Sequence, residues 1–402
     1  MAGELTMLSL HAPPKLMIEA AAYFEERNMP AKAVALYQKG GNLAKAVDLC
    51  FRARLFDALR DIAETLDSKT DPQLLHRCAE FFLDHGQYEK TVHLFTVAGE
   101  YAKALDLCAL HNIPLSEEMA ERMLPALGDK GAETEELRAG LLAKVGKICK
   151  RQGNYTLACK KYTQAGDKVK AMKCLLKSGD TEKVIFFAGV SRTRDIYILA
   201  ANYLQTLDWH SEPEILKNIV GFYSKAKAFE NLSGFYDASA QVEIDEYRDY
   251  EKALVALKES LTWLGKARAP GKEQKIAQLE QRIRHVEAFV AARKMVKSDP
   301  QQMIKTCHDL LEEADVEAAI RVGDVYALMV EWCYSQQQME QAYNLIEKMR
   351  ARSIILSPYL DQEMVAAIYN TMGMPIAQDP QPPPMPDGSV SHDHIEEDID
   401  DD

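Results

Sequence analysis

Few residues in this 402-residue sequence are spaced as catalytic or metal-binding residues usually are. The clearest candidate is the run His392-Asp393-His394, in which two imidazoles and a carboxylate could all ligate a metal ion. The run lies in a polar stretch that we expect to be disordered, whereas a specific metal site needs a fixed geometry. The sequence therefore predicts no bound metal.

The eight cysteines could supply a nucleophile, but their spacing does not favour that role. No two form a Cys-X-X-Cys pair, and catalysis would need a thiol beside a repeat histidine such as His76, His85, His93 or His111. Glycine-rich phosphate loops, His-Glu-X-X-His and Gly-X-Ser-X-Gly motifs are also absent from the sequence. We therefore predict no enzyme activity and no cofactor, with the cysteines as small core residues in a reducing compartment.

Charge is the most informative polar feature of the sequence. The formal net charge is -13, yet residues 138–194 contain 14 lysines and arginines against three acids, a local net charge of +11. From residue 353 onward there are 11 acids and no lysine or arginine. Ten cations of the basic stretch form a candidate surface for an anionic partner: Lys144, Lys147, Lys150, Arg151, Lys160, Lys161, Lys168, Lys170, Lys173 and Lys177.

Two interpretations of this basic stretch remain open. It could bind an acidic protein segment, phosphoinositide headgroups or the chain's own acidic tail. It could equally be the solvated face that any soluble helix presents. No nucleic-acid-binding module accompanies the charge, so we do not expect a nucleic-acid partner.

These lysines lie within a pattern that occurs three times, in residues 23–50, 78–108 and 148–175. Each copy contains two segments of helical apolar spacing separated by a glycine turn, which predicts a helix, a tight turn and a second helix. Such units bury their apolar faces only by stacking, so we predict an all-α solenoid of tetratricopeptide-like repeats. The predicted repeat-packing residues are Ala33, Tyr37, Gly86, Tyr88, Phe95, Gly99, Gly153, Tyr155, Tyr162 and Gly166.

The rest of the chain is divided by the same reasoning. We predict a disordered or truncated edge at 1–16, the solenoid at 17–249, a long helical hairpin at 250–298, further helical repeats at 299–374 and a disordered Pro-rich acidic tail at 375–402. The abrupt start of the repeats predicts a C-terminal fragment of a longer protein. No apolar run approaches the ~20 residues of a membrane helix.

Three shorter segments carry predictions of their own. Residues 178–190 predict a short, buried helix pair, and residues 128–136 a polar connection. In the second arm of the hairpin, apolar residues step by three and four, which is typical of a coiled-coil seam. That seam would serve as a bracket or partner surface, or would pack on its own first arm. Its residues are Ile276, Leu279, Ile283, Val286 and Val290.

Residues 156–257 include the runs CKKYTQAGDKVKAMKCLLKSGDTEKVIFFAGVSR and GFYDASAQVEIDEY. They closely resemble the C-terminal region of the intraflagellar transport protein 140 family, and the resemblance extends over essentially the whole chain. The second run is not repeat consensus, which makes the resemblance specific. Full-length members carry two N-terminal WD40 propellers, and none is present in this sequence.

The resemblance implies a non-enzymatic scaffold of intraflagellar transport complex A, located in the cilium or flagellum, basal body and cytoplasm. Implied partners are the other complex A subunits, a tubby-like adaptor and, indirectly, membrane cargo. The implied roles are retrograde transport and ciliary entry of that cargo. The repeat offsets of 58 and 67 residues are not multiples of ~34, which argues against a uniform tetratricopeptide superhelix.

The alternative to the complex A scaffold function is a coat-like or lipid-recruited adaptor whose basic stretch binds acidic membrane or protein partners. Direct contact with a membrane is left open.

Overall fold

The computed structural model describes residues 12–67, 69–125, 132–268 and 270–375. Within these ranges the chain forms 21 α-helices and one short 3-10 helix, with no β-strand. This confirms the all-α prediction. The chain divides into two compact units, Met1–Phe187 and Ala188–Asp402, and the division falls inside one helix, Thr181–Ser191.

The first unit is a succession of short helices. They are α1 Pro14–Glu26, α2 Pro30–Lys39, α3 Leu43–Ala53, α4 Phe56–Thr65, α5 Pro72–Asp84, α6 Tyr88–Val97, α7 Tyr101–Leu110, α8 Glu117–Arg122, α9 Ala132–Arg151, α10 Tyr155–Gln164 and α11 Lys168–Ser178, followed by α12 Thr181–Ser191, which extends into the second unit. Successive helices pack on one another, as in α2 on α3 and α10 on α11. The unit is therefore built largely from contacts between neighbours in sequence.

The central repeat shows why the helices begin and end where they do. The Asp71 carboxylate accepts a hydrogen bond from the backbone N–H of Gln73 at 3.1 Å and so caps α5. Gly86 follows the end of α5 with φ +70°, a left-handed conformation that costs glycine little. The chain thereby reverses within three residues, and α6 begins at Tyr88.

The second unit continues with longer helices. They are α13 Arg194–Leu204, α14 Pro213–Ala226, α15 Phe229–Asp245, α16 Tyr250–Lys266, α17 Lys272–Met295, α18 Pro300–Glu312, α19 Val322–Ser335, α20 Met339–Ala351 and α21 Gln362–Met372, with the 3-10 helix at Val316–Ala318. Its core includes most of the apolar seam of α17, because Leu279, Ile283, Val286 and Val290 are all buried. The seam packs within the chain and is not free to receive a partner helix.

A buried polar network joins α16 to α19 in this second unit. The Tyr250 hydroxyl donates to Asp324 Oδ2 at 2.7 Å and accepts from the backbone N–H of Arg321 at 3.3 Å. The Arg321 guanidinium donates to the Asp245 carbonyl at 2.7 Å. Burial and the adjacent Asp324 charge raise the pKa of Tyr250, so the phenol stays protonated and donates. These bonds fix the start of α19 against the start of α16.

Several predicted segments differ from the structure. Residues 178–190 do not form a buried helix pair: Thr181–Ser191 is a single helix, and 72% of Phe186 is exposed. The predicted polar connection is helical from Ala132 onward, and the first helix begins at Pro14, ahead of residue 17. The predicted disordered tail and His392-Asp393-His394 lie outside the described residues, apart from Pro375.

Length and hydropathy distinguish a membrane-spanning helix from the helices of the described ranges. None is both long and apolar enough to cross a bilayer.

Candidate interaction surfaces

The packing between repeats is best seen in the first three helices. Tyr37 of α2 is almost fully buried, and its hydroxyl donates to Glu25 Oε2 of α1 at 2.9 Å. The Arg52 guanidinium of α3 lies 2.6 Å from the other oxygen of Glu25. Hydrogen bonds from Arg52 and Tyr37 lower the pKa of Glu25, while burial raises the pKa of Tyr37 to about 12. One carboxylate thus holds three helices together.

The other predicted repeat-packing residues occupy two kinds of place. Ala33, Phe95 and Tyr162 are buried, Tyr88 stacks on His111 with ring centroids 3.5 Å apart, and Tyr155 is half-buried. The glycines have positive φ at the helix turns: Gly86 +70°, Gly99 +77°, Gly153 +76° and Gly166 +84°. The buried side chains therefore pack within the repeats and are not available to a partner.

The sequence analysis missed one position of the repeat. A Cβ built on Gly146 of α9 would lie 3.0 Å from the ring of Tyr162, so the two helices approach closely there. The equivalent residues of the earlier copies, Ala79 and Ala21, are fully buried and also small. A small residue recurs at this position in all three copies, at the repeat offsets of 67 and 58 residues, and this recurrence could have revealed the close helix contact from sequence.

Lys161 does not belong to the predicted anionic-partner surface. Its side chain is 0% exposed, and its ammonium forms an ion pair with the Glu121 carboxylate, which also lies near Arg138. A buried ammonium needs such a partner because removal from water strongly disfavours a lone charge. The prediction that Lys161 is a surface cation is therefore wrong, and the lysine instead joins α10 to α8.

Three further lysines of the predicted surface are paired within the chain. Lys144 lies 2.5 Å from Asp106 and Lys170 lies 3.6 Å from Asp167. Lys160 bonds Glu117, and this hydrogen bond raises the pKa of Lys160 and lowers that of Glu117. Two of these acids, Asp106 and Glu117, lie outside residues 138–194 and offset part of the local positive charge. Sequence alone could not show these two pairings, because the partners are 38 (144 − 106) and 43 residues apart.

Lys147 and Arg151 remain as exposed cations of α9 without an ion pair to any residue that the structure describes. They are four residues apart, so they lie on the same face of the helix. Lys168 is exposed, and Lys150, Lys173 and Lys177 are half-buried, and these four have interactions within the chain. Of the ten cations in the predicted surface, Lys147 and Arg151 are therefore the two that are exposed and have no partner among the described residues.

Comparison with known proteins agrees with these helical repeats. A family model for the tetratricopeptide domain of intraflagellar transport proteins 140 and 172 matches residues 1–222. A second, for the C-terminal tetratricopeptide domain of intraflagellar transport protein 140, matches residues 230–350. The chain belongs to the intraflagellar transport protein 140 family. Domains of this type are typically non-catalytic scaffolds, and membership of the family implies a cilium-associated role in intraflagellar transport.

One solved structure was also found to be similar. It is described as a circular tandem repeat protein with novel repeat topology and enhanced subunit contact surfaces. The two chains are 14% identical over 90% of this chain and 87% of that chain, with a TM-score of 0.17. A TM-score this low carries no information about the fold of this intraflagellar transport protein.

The cysteines of this intraflagellar transport protein are all buried and unbridged. Desolvation raises the pKa of the Cys78 thiol to about 12 and that of Cys149 to about 11. Such thiols stay protonated at neutral pH and are poor nucleophiles and poor metal ligands. In the part of the chain that the structure describes, no cluster of His, Cys, Asp and Glu residues could hold a metal ion.

Proposed function

We propose that this chain is a non-enzymatic scaffold subunit of intraflagellar transport complex A. In this role it assembles sister subunits for retrograde ciliary transport and for ciliary entry of membrane cargo through a tubby-like adaptor. The two family matches, over residues 1–222 and 230–350, are the observation that carries the proposal. The proposed locations are the cilium or flagellum, the basal body and the cytoplasm.

The repeat packing suits such a role. Tyr37, Phe95 and Tyr162 fill the space between helices, so the outward-facing side chains of each unit are held on a firm support. Repeats built this way present long rows of exposed residues, which bind partners over extended surfaces. Binding by such rows requires no catalytic group.

Co-assembly tests the proposal directly. The full chain, carrying an affinity tag, is co-expressed with the other complex A subunits and analysed by affinity capture and size-exclusion chromatography. We expect at least one sister subunit to co-elute with it at a fixed ratio. A helical, monodisperse chain that captures none of these subunits would contradict the proposal.

A lipid-recruited adaptor is the second candidate, and the unpaired Lys147 and Arg151 are the observation in its favour. Flotation with vesicles containing phosphoinositide, with the double variant Lys147→Glu/Arg151→Glu, tests it. Lys227→Glu/Lys305→Glu removes two exposed cations of the second unit and is the matched control. Loss of flotation only in the first variant would support lipid binding, whereas no flotation of the unaltered chain would exclude it.

A further inference from the structure

A cavity of about 310 Å³ lies between helices α15, α16 and α17 of the second unit. The residues that line its inner part are Ser233 and Gly234 of α15, Ser260 and Leu264 of α16, and Leu279 of α17. Contacts between helices are normally filled by large side chains, whereas three of these five residues are serine or glycine. Gly234 is exposed, and a Cβ built on it would have no neighbour within 4 Å among the described residues. The cavity is therefore open to solvent beside this glycine.

Two ion pairs cross from α15 to α17 at the ends of the cavity. Glu230 lies 2.7 Å from Lys275, and Asp237 lies 2.5 Å from Arg282. The two pairs are seven residues apart on each helix, which is two helical turns or about 10.5 Å. The four charges cancel, and each carboxylate already has its cation. A charged ligand would thus lose its hydration without gaining a free partner of opposite charge.

The hydrogen bonds of the two buried serines decide which kind of group the cavity can bind. Ser260 Oγ donates its one hydrogen to the Ser233 carbonyl at 2.9 Å. The contact of 3.0 Å between the two hydroxyls must then be donated by Ser233. Both hydroxyl hydrogens are used, while each oxygen keeps a lone pair that can accept. The serines thus present acceptors only, and a ligand must supply a hydrogen-bond donor.

The remaining inner surface is apolar. Leu264 and Leu279 are both buried, and they favour contact with a hydrocarbon ring over contact with water. An uncharged ligand with an apolar body and a donor at its far end suits this combination. A phenol has this form, because its ring separates the hydroxyl from the point of attachment. An indole carries its N–H at the side of the ring, so it suits the cavity less well.

We propose that this cavity binds the phenol side chain of a tyrosine from a partner protein. The Ser233 hydroxyl oxygen accepts from the phenol, the ring packs against Leu264 and Leu279, and the ion pairs at the two ends stay intact. Aromatic side chains that enter a pocket on the partner are frequent anchors of protein interfaces. The assignment to a partner protein rests on the proposed scaffold function, whereas the phenol chemistry of the cavity does not.

Fluorine NMR with the full chain and two small probes tests this chemistry. Para-fluorophenol carries the donor, and fluorobenzene is the same ring without it. We expect saturable binding of para-fluorophenol, about fivefold tighter than that of fluorobenzene, which is the factor that one net hydrogen bond contributes. Ser233→Ala removes the acceptor and should bring the two affinities together, because the remaining Ser260 hydroxyl is more deeply buried. An unchanged preference in this variant, or no saturable binding to the unaltered chain, would overturn the proposal.

A pair of glycine variants locates the binding. Gly234→Met fills the mouth of the cavity and is expected to weaken binding of para-fluorophenol by at least about tenfold, because the added side chain occupies the space. Gly140→Met is the matched control on α9, since Gly140 is also exposed and a Cβ there would have no neighbour within 4 Å among the described residues. Circular dichroism checks that both variants are folded. Equal affinities of the two variants would show that the probe binds elsewhere.

The source of the phenol is tested with the amide of N-acetyl-meta-fluorotyrosine, which presents the side chain as it occurs within a protein. Competition between this compound and para-fluorophenol is the result expected for a tyrosine of a partner. Binding of the free phenol alone would overturn the tyrosine assignment and indicate a small-molecule ligand. These measurements use the chain without its sister subunits. A failure of co-assembly and a failure of phenol binding are therefore distinguishable.

Discussion

The ion pair between Lys161 and Glu121 allows a sharp prediction about stability. The lysine is 0% exposed, whereas the glutamate is 43% exposed. Removing the glutamate leaves an ammonium buried without its partner, but removing the lysine leaves only a carboxylate that water can reach. Glu121→Ala should therefore destabilise the first unit much more than Lys161→Met, although both break the same contact.

The magnitude follows from the burial of the two groups. Loss of one member of a fully buried pair costs about 3–5 kcal/mol, and the solvent access of Glu121 reduces our expectation to about 2–3 kcal/mol. Lys161→Met keeps the apolar stem and removes the desolvated charge, so we expect a change of about 1 kcal/mol or less. In the double variant the buried charge is gone, and most of the loss caused by Glu121→Ala should be recovered.

Urea unfolding with two probes is a suitable assay. Hydrogen–deuterium exchange in α10, which contains Lys161, follows the first unit. The three tryptophans, Trp209, Trp263 and Trp332, all lie in the second unit, so their fluorescence is an internal reference. The neighbouring exposed pair of Lys160 and Glu117 joins the same two helices, and Glu117→Ala is the matched control with no expected shift. Equal costs for Glu121→Ala and Lys161→Met would refute the reasoning.

Three further predictions concern packing, capping and pH. Gly323→Ala would place a Cβ closer to the ring of Tyr359 than real Cβ atoms approach, so we expect a loss of about 1–3 kcal/mol in the free energy of urea unfolding. A Cβ built on Gly234 has no neighbour within 4 Å, so Gly234→Ala should instead raise the unfolding free energy by up to about 1 kcal/mol. A Gly323→Ala variant more stable than Gly234→Ala would contradict the geometry. Asn154→Ala removes the acceptor 3.2 Å from the Leu157 N–H and should lower the unfolding free energy by about 1 kcal/mol, so an unchanged urea midpoint would speak against the cap. Burial raises the pKa of Cys78 and Cys307 from 9.0 to about 12, so the unfolded chain loses these protons first. The contribution of these thiols to the unfolding free energy should therefore be constant below pH 8. It should fall between pH 9 and 11 by up to about 1.4 kcal/mol per pH unit for each thiol, and urea unfolding at each pH measures it. Absence of this fall in a comparison with the Cys78→Ala/Cys307→Ala variant would be inconsistent with protonated buried thiols.

Much of the local structure could be predicted from sequence because it depends on short-range patterns. Gly86 marks a helix turn, and the structure has that turn with φ +70°. Ser116 precedes a helix, and its hydroxyl accepts from the Met119 N–H at 3.2 Å. Helical spacing of apolar residues was sufficient to find these helices, whose stability depends on neighbours in sequence.

The candidate site was harder to predict because charge pairing depends on residues distant in sequence. Lys160 and Lys161 are adjacent and chemically identical, yet Lys160 is exposed and Lys161 is buried. The packing of the neighbouring helices around α10 distinguishes them. For Phe186 the error was the opposite one: its apolar surroundings in sequence predicted burial, but the helix presents it to solvent.

The Tyr250 bond to Asp324 also bears on the order in which the chain folds. Most helix packing joins neighbours in sequence, whereas this bond joins residues 74 positions apart. Closing so long a loop has an entropic cost that must be met before the contact forms, which slows folding. During synthesis the helices of the first unit can assemble as they emerge from the ribosome, but α16 must wait for α19 to complete its core. The second unit thus has a late step in folding, and a chain that stops short of residue 324 would leave the Tyr250 hydroxyl without its acceptor.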